Sequence, residues 1–118
     1  MPRKKVRNYS LYTKEACRLL GILIRNARKE KRMTIEELAE RASTSPNFVR
    51  RVEKGGLTGE IGVAFELAFI VGVPLFQPEN TGTPNPKYLN YKISEALQKE
   101  ALLPQSARKP RETVKDDF

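Results

Sequence analysis

The sequence contains no histidine, one cysteine in 118 residues and no clustered carboxylates. A zinc site needs a set of nitrogen and sulfur ligands, and a His-based catalytic pair needs its imidazole, so neither can be assembled. The expectation is a protein that is not an enzyme and uses no metal and no cofactor. A single cysteine permits no internal disulfide. Cys17 lies three residues before Leu20 on an apolar stripe, so it reads as a buried structural thiol. No apolar run is long enough to span a membrane. The N-terminus MPRKKVRNYS is basic but has no apolar stretch after it, which excludes a secretory signal and points to the cytoplasm.

What is present is positive charge, unevenly placed. The formal net charge is +8. Residues 1–59 hold 15 Lys and Arg against 6 Glu, or +9, and residues 60–118 hold 7 Lys and Arg against 8 Asp and Glu, or −1. A surface serving solubility alone would intersperse its signs. A basic half of this kind suits a polyanion, whose released counterions supply affinity and make binding salt-dependent.

Within that half, residues 34–55, TIEELAERASTSPNFVRRVEKG, read as two short helices joined by a tight turn. Thr34 and Glu37 form a capping box at the start of the first. Its apolar face is Ile35, Leu38, Ala39 and Ala42. Ser43 and Thr44 make the turn, Ser45 caps the second helix, and Pro46 occupies its first position, where a missing N–H costs nothing. Val49 and Val52 point inward. Asn47, Arg50, Arg51 and Lys54 share the opposite face by their spacing of three and four. This is the layout of a DNA-reading helix-turn-helix.

The rest of the chain divides around it. Residues 1–12 form a basic arm carrying Arg3, Lys4, Lys5 and Arg7, which either reaches around a duplex into a minor groove or stays idle. Residues 13–76 form the compact domain. Its first helix is capped at Thr13 and carries Ala16, Leu19, Leu20, Leu23, Ile24 and Ala27, running to about Lys31. Gly21 inside this helix marks a close approach by another segment. Gly55, Gly56 and Gly59 form a flexible connection. The helix over 60–71, apolar nearly all round, is expected to be buried against the other three. Gly72 and Pro74 stop it, and Val73, Leu75 and Phe76 tuck under the bundle. A linker over 77–86 precedes a helix over 87–103, whose apolar stripe either packs on its own domain or meets a twin in a dimer. Residues 104–118 form a polar tail, disordered by composition, which serves as a docking peptide or is merely solvated.

Residues 20–76 resemble the lambda-repressor-like helix-turn-helix family, also called Xre or Cro-like. The resemblance rests on LGILIRNAR, TIEELAERA, SPNFVRRVEKG and the apolar helix ending in GVPLF, in that order and spacing. It implies an all-α, five-helix fold whose third helix, about residues 45–54, enters the major groove. Base-reading positions then fall on Asn47, Arg50 and Arg51, with Pro46 unable to offer a hydrogen bond. Arg51 suits guanine O6 and N7, and Asn47 suits adenine. Arg25, Arg32, Thr34, Ser45 and Lys54 are the implied phosphate contacts. Arg28 and Glu53 match a family pair that joins the first and third helices. The chain departs from the family at Pro46, often polar there, at Ile35, often Gln, and at Ser43, often Gly, where a left-handed backbone is costly for serine.

The later segments, EIGVAFELAFIVGVPLF and LLPQSARKPRETVKDDF, look like small regulators paired with HipA-like toxin kinases. The function these readings imply is a dimeric, sequence-specific repressor that binds double-stranded DNA at an inverted repeat. The alternative is an antitoxin that holds a HipA-like kinase and controls its own operon.

Overall fold

The structure, a computed structural model, describes residues 7–78, 82 and 84–106. Among them lie five helices and no strand: α1 Leu11–Glu30, α2 Ile35–Arg41, α3 Pro46–Glu53, α4 Ile61–Val71 and α5 Pro86–Leu102. The class is all-α, as read from the sequence. Helices α1 to α4 belong to one compact unit and α5 to another.

Helix starts follow from side-chain caps. Ser10 accepts the Thr13 N–H, so α1 begins two residues before Thr13, and Thr13 is not the cap. The reason is positional: the hydroxyl one residue ahead of the first helical residue is the one that reaches an unpaired N–H. Thr34 and Glu37 form the complete capping box at α2. Ser45 accepts the Phe48 N–H at 3.1 Å, with Pro46 in the first turn of α3.

The four helices of the first unit end alike. After α1, Met33 N–H donates to the Arg28 carbonyl and Arg32 N–H to Lys29. The pairs after α2 are Thr44 to Ala39 and Ser43 to Glu40, after α3 Gly56 to Arg51 and Gly55 to Val52, and after α4 Val73 to Ala68 and Gly72 to Phe69. This double bond needs a left-handed residue just past the helix. Gly55 and Gly72 supply it at φ 84°, whereas Arg32 at 54° and Ser43 at 55° adopt it with a side chain attached.

The core joins Ile24 from α1, Leu38 and Ala39 from α2, Val49 and Val52 from α3, and Leu67, Ala68 and Val71 from α4, with Met33 and Val73. Each fully buried branched side chain contributes about 1.5–3 kcal/mol. Helix α3 packs against both α1 and α2, and α4 packs against the same two. One face of α3 is therefore consumed by the core and the other is left free. Gly21 permits this spacing, because a β-carbon there would overlap the Val52 carbonyl oxygen. The connection after α3 is closely packed rather than slack: a β-carbon at Gly59 would overlap the Phe48 ring.

Three expectations are corrected. Helix α4 is not buried all round, since Ile61 is 75%, Phe65 38% and Phe69 58% exposed. Its main packing partners are α1 and α2, and Leu67, Ala68 and Val71 are its buried residues. Nor does Phe76 tuck under the bundle: it is exposed and stacks on Phe65, ring centroids 5.8 Å apart. Cys17 is half-buried, not buried, because it borders a cavity of about 350 Å³ together with Leu20, Phe48, Val52 and Phe65.

Helix α5 is capped by Asn85, whose side chain accepts the Lys87 N–H at 2.8 Å, and none of its residues is buried. Leu89, Ile93 and Leu97 are exposed on one face of it. No helix among the described residues is long and apolar enough to cross a membrane.

Candidate nucleic-acid interface

The site is built on α3. Val49, Val52 and Glu53 are its buried residues, and Asn47, Arg50, Arg51 and Lys54 are exposed. The separation follows from the helical repeat, which places positions 47, 50, 51 and 54 on the side away from the valines.

What fixes the orientation of α3 is a buried ion pair. Arg28 Nε donates to Glu53 Oε2 at 2.6 Å and its terminal nitrogen to Glu53 Oε1 at 3.0 Å, with the two residues only 8% and 5% exposed. The remaining terminal nitrogen donates to the Met33 carbonyl at 2.9 Å. Three nitrogens of the guanidinium thus have partners, and no buried side-chain N or O among the described residues lacks one. The hydrogen bond to Glu53 raises the Arg28 pKa above its ordinary value, against the opposing effect of burial. Such a pair is costly to desolvate and costlier to break, so it specifies geometry more than it adds stability.

On the outer face, the side chains are already engaged with each other. Arg50 donates to Asn47 Oδ1 at 3.0 Å and, through its other terminal nitrogen, to Glu36 Oε2 at 3.2 Å. Arg51 lies over the Phe48 ring, 5.7 Å from its centroid. A cation over an aromatic face is held without using up its N–H donors. Arg51 therefore keeps its fork for a guanine edge or a phosphate.

The capping residues flank this face. Thr34 Oγ1 accepts the Glu37 N–H at 3.0 Å and Ser45 Oγ accepts the Phe48 N–H at 3.1 Å. In both cases the hydroxyl proton remains to donate to a phosphate oxygen while the cap stays intact. Arg32 and Lys54 are exposed at the ends of α1 and α3, and Arg25 is half-buried on α1. Arg7 is exposed, and Arg3, Lys4 and Lys5 lie outside the described residues. No group of His, Cys, Asp or Glu among the described residues could hold a metal ion.

Two participants escaped the sequence reading. Glu36 reaches Arg50 across 14 residues of chain, a separation that helical periodicity does not register. Phe48 was detectable, because it precedes Arg51 by one helical turn.

An all-α unit with a capped, two-helix turn and a cationic outer face defines a helix-turn-helix domain. Residues 24–74, less than half of the chain, match the helix-turn-helix family, which supports the lambda-repressor-like resemblance and a DNA-binding regulator. Comparison with curated proteins gave no significant match.

Proposed function

We propose that this chain is a sequence-specific transcriptional repressor that binds operator DNA as a homodimer, with α3 in the major groove. The observation that carries the reading is the outer face of α3, where Asn47, Arg50, Arg51 and Lys54 are exposed while the opposite face is locked to α1 through Arg28 and Glu53. A rigid helix presenting hydrogen-bond donors is what base-edge recognition requires. Thr34, Ser45, Arg25, Arg32 and Lys54 supply the phosphate contacts that set register, and the basic arm adds sequence-independent attraction. Enrichment of a randomised duplex library on the full chain tests this. The expected product is an inverted repeat with half-sites about 10 base pairs apart or a multiple of that. Failure to enrich any sequence would refute it.

A second reading is favoured by the apolar surface on α4, where Ile61, Phe65 and Phe69 share one exposed face and Phe76 extends it. A surface of this kind marks a protein contact. In this reading the chain is an antitoxin that holds a HipA-like kinase there and represses its own operon. Co-expression with such a kinase followed by size-exclusion chromatography tests it. Co-elution at fixed stoichiometry supports the antitoxin role, and separate elution contradicts it.

A further inference from the structure

We propose that Glu36 sets the sequence preference of α3 by holding Arg50 on Asn47, an inference that rests on the DNA-binding reading. The guanidinium of Arg50 is held by acceptors from two helices: Asn47 Oδ1 on α3 at 3.0 Å and Glu36 Oε2 on α2 at 3.2 Å. A lone exposed ion pair is weak. Here a second acceptor constrains the same planar fork, so the side chain is fixed in direction as well as attracted.

Two consequences follow for recognition. Arg50 takes one of the two lone pairs of the Asn47 carbonyl, and accepting from a cation weakens that oxygen as an acceptor for a second partner, while both N–H donors of the amide stay available. Bidentate reading of adenine needs a carbonyl to accept from N6 and an N–H to donate to N7, so this arrangement opposes it. Asn47 and Arg50 become a unit dominated by donors, matched better to the acceptors O6 and N7 of guanine than to the N6 donor of adenine. The other consequence concerns charge. If Arg50 left to straddle a phosphate, it would strand the Glu36 carboxylate beside a polyanion, a penalty independent of sequence. Glu36 therefore lowers affinity for arbitrary duplexes and keeps Arg50 for base edges.

The test compares the full-length parent with Glu36→Gln, which keeps the shape of an exposed side chain and removes its charge. The capping box at this helix uses Glu37, so α2 keeps its start. Each protein enriches duplexes from one randomised library, and each is titrated with the parent's enriched duplex and a scrambled version over a range of salt. Expected for Glu36→Gln are tighter binding to the scrambled duplex, a salt slope steeper by about 1 as Arg50 takes up a phosphate, and a shift from guanine toward adenine at one position per half-site. Parental preference, slope and discrimination in the variant would overturn the inference while leaving the DNA-binding reading intact. A parent that does not distinguish the two duplexes would overturn both.

Discussion

Arg28 and Glu53, separated by 25 residues, meet as a two-point ion pair that ties α1 to the buried side of α3. Both are nearly enclosed, and Arg28 also serves the Met33 carbonyl beyond the end of α1. Removing either partner strands the other charge in the interior. Arg28→Ala and Glu53→Ala are each expected to cost about 3–5 kcal/mol, measured by urea unfolding of the two variants and the parent. A loss below about 1 kcal/mol, the range of an exposed pair, would contradict the structural role.

Gly21→Ala should destabilise the fold, although alanine gains about 1 kcal/mol over glycine in a helix interior. The new β-carbon would overlap the Val52 carbonyl oxygen and come within 2.9 Å of the Glu53 carbonyl carbon and oxygen. These are backbone atoms, so α3 itself must shift. The net loss is expected at about 1–3 kcal/mol, the usual range for overpacking, and thermal unfolding reads it.

Ser43→Gly should act in the opposite direction. Ser43 adopts φ 55° to complete the bonds that end α2, and a left-handed residue with a side chain costs about 1–2 kcal/mol. Glycine returns some of that gain through the greater freedom of the unfolded chain, about 0.4–1 kcal/mol. The expected result is a rise in stability of up to about 1 kcal/mol by urea unfolding. Gly55→Ala, at φ 84° in the equivalent place after α3, should lower stability.

The capping box of α2 carries a pH dependence. Glu37 accepts the Thr34 backbone N–H at 2.8 Å, and this bond holds its carboxyl below the usual glutamate pKa. A lowered folded-state value contributes stability that is fully present above the unfolded-state value and is lost as pH falls through the folded one. The stability of the parent over Glu37→Gln should therefore shrink as pH is lowered from neutral through the glutamate range. Urea unfolding across that range checks it, and a constant difference would contradict it.

The parts of this fold that were legible in the sequence were the local ones. Thr34 with Glu37, and Ser45 with Pro46, fix two helix starts through contacts three residues apart or less. Gly21 was legible as a close approach because glycine is costly in a helix and invites a tertiary reason. Less legible were features set by how much of each helix its neighbours cover. The composition of α4 suggested burial all round, but a helix packed mainly on α1 and α2 buries Leu67 and Val71 and leaves Ile61, Phe65 and Phe69 exposed. At the site, spacing alone put Asn47, Arg50 and Arg51 on one face. It could not show that Arg50 spends two donors on Asn47 and Glu36, since the second partner comes from another helix.

If the outer face of α3 reads DNA sequence as proposed, Arg51 is its freest fork, held over Phe48 with none of its donors bonded to protein among the described residues. The most direct measurement is the affinity of the parent and Arg51→Ala for the parent's enriched duplex and for a scrambled one at a single salt concentration. Arg51→Ala is expected to lose about 1–3 kcal/mol, roughly 5- to 150-fold, on the enriched duplex and less on the scrambled one. Equal losses on both duplexes, or none on either, would contradict it.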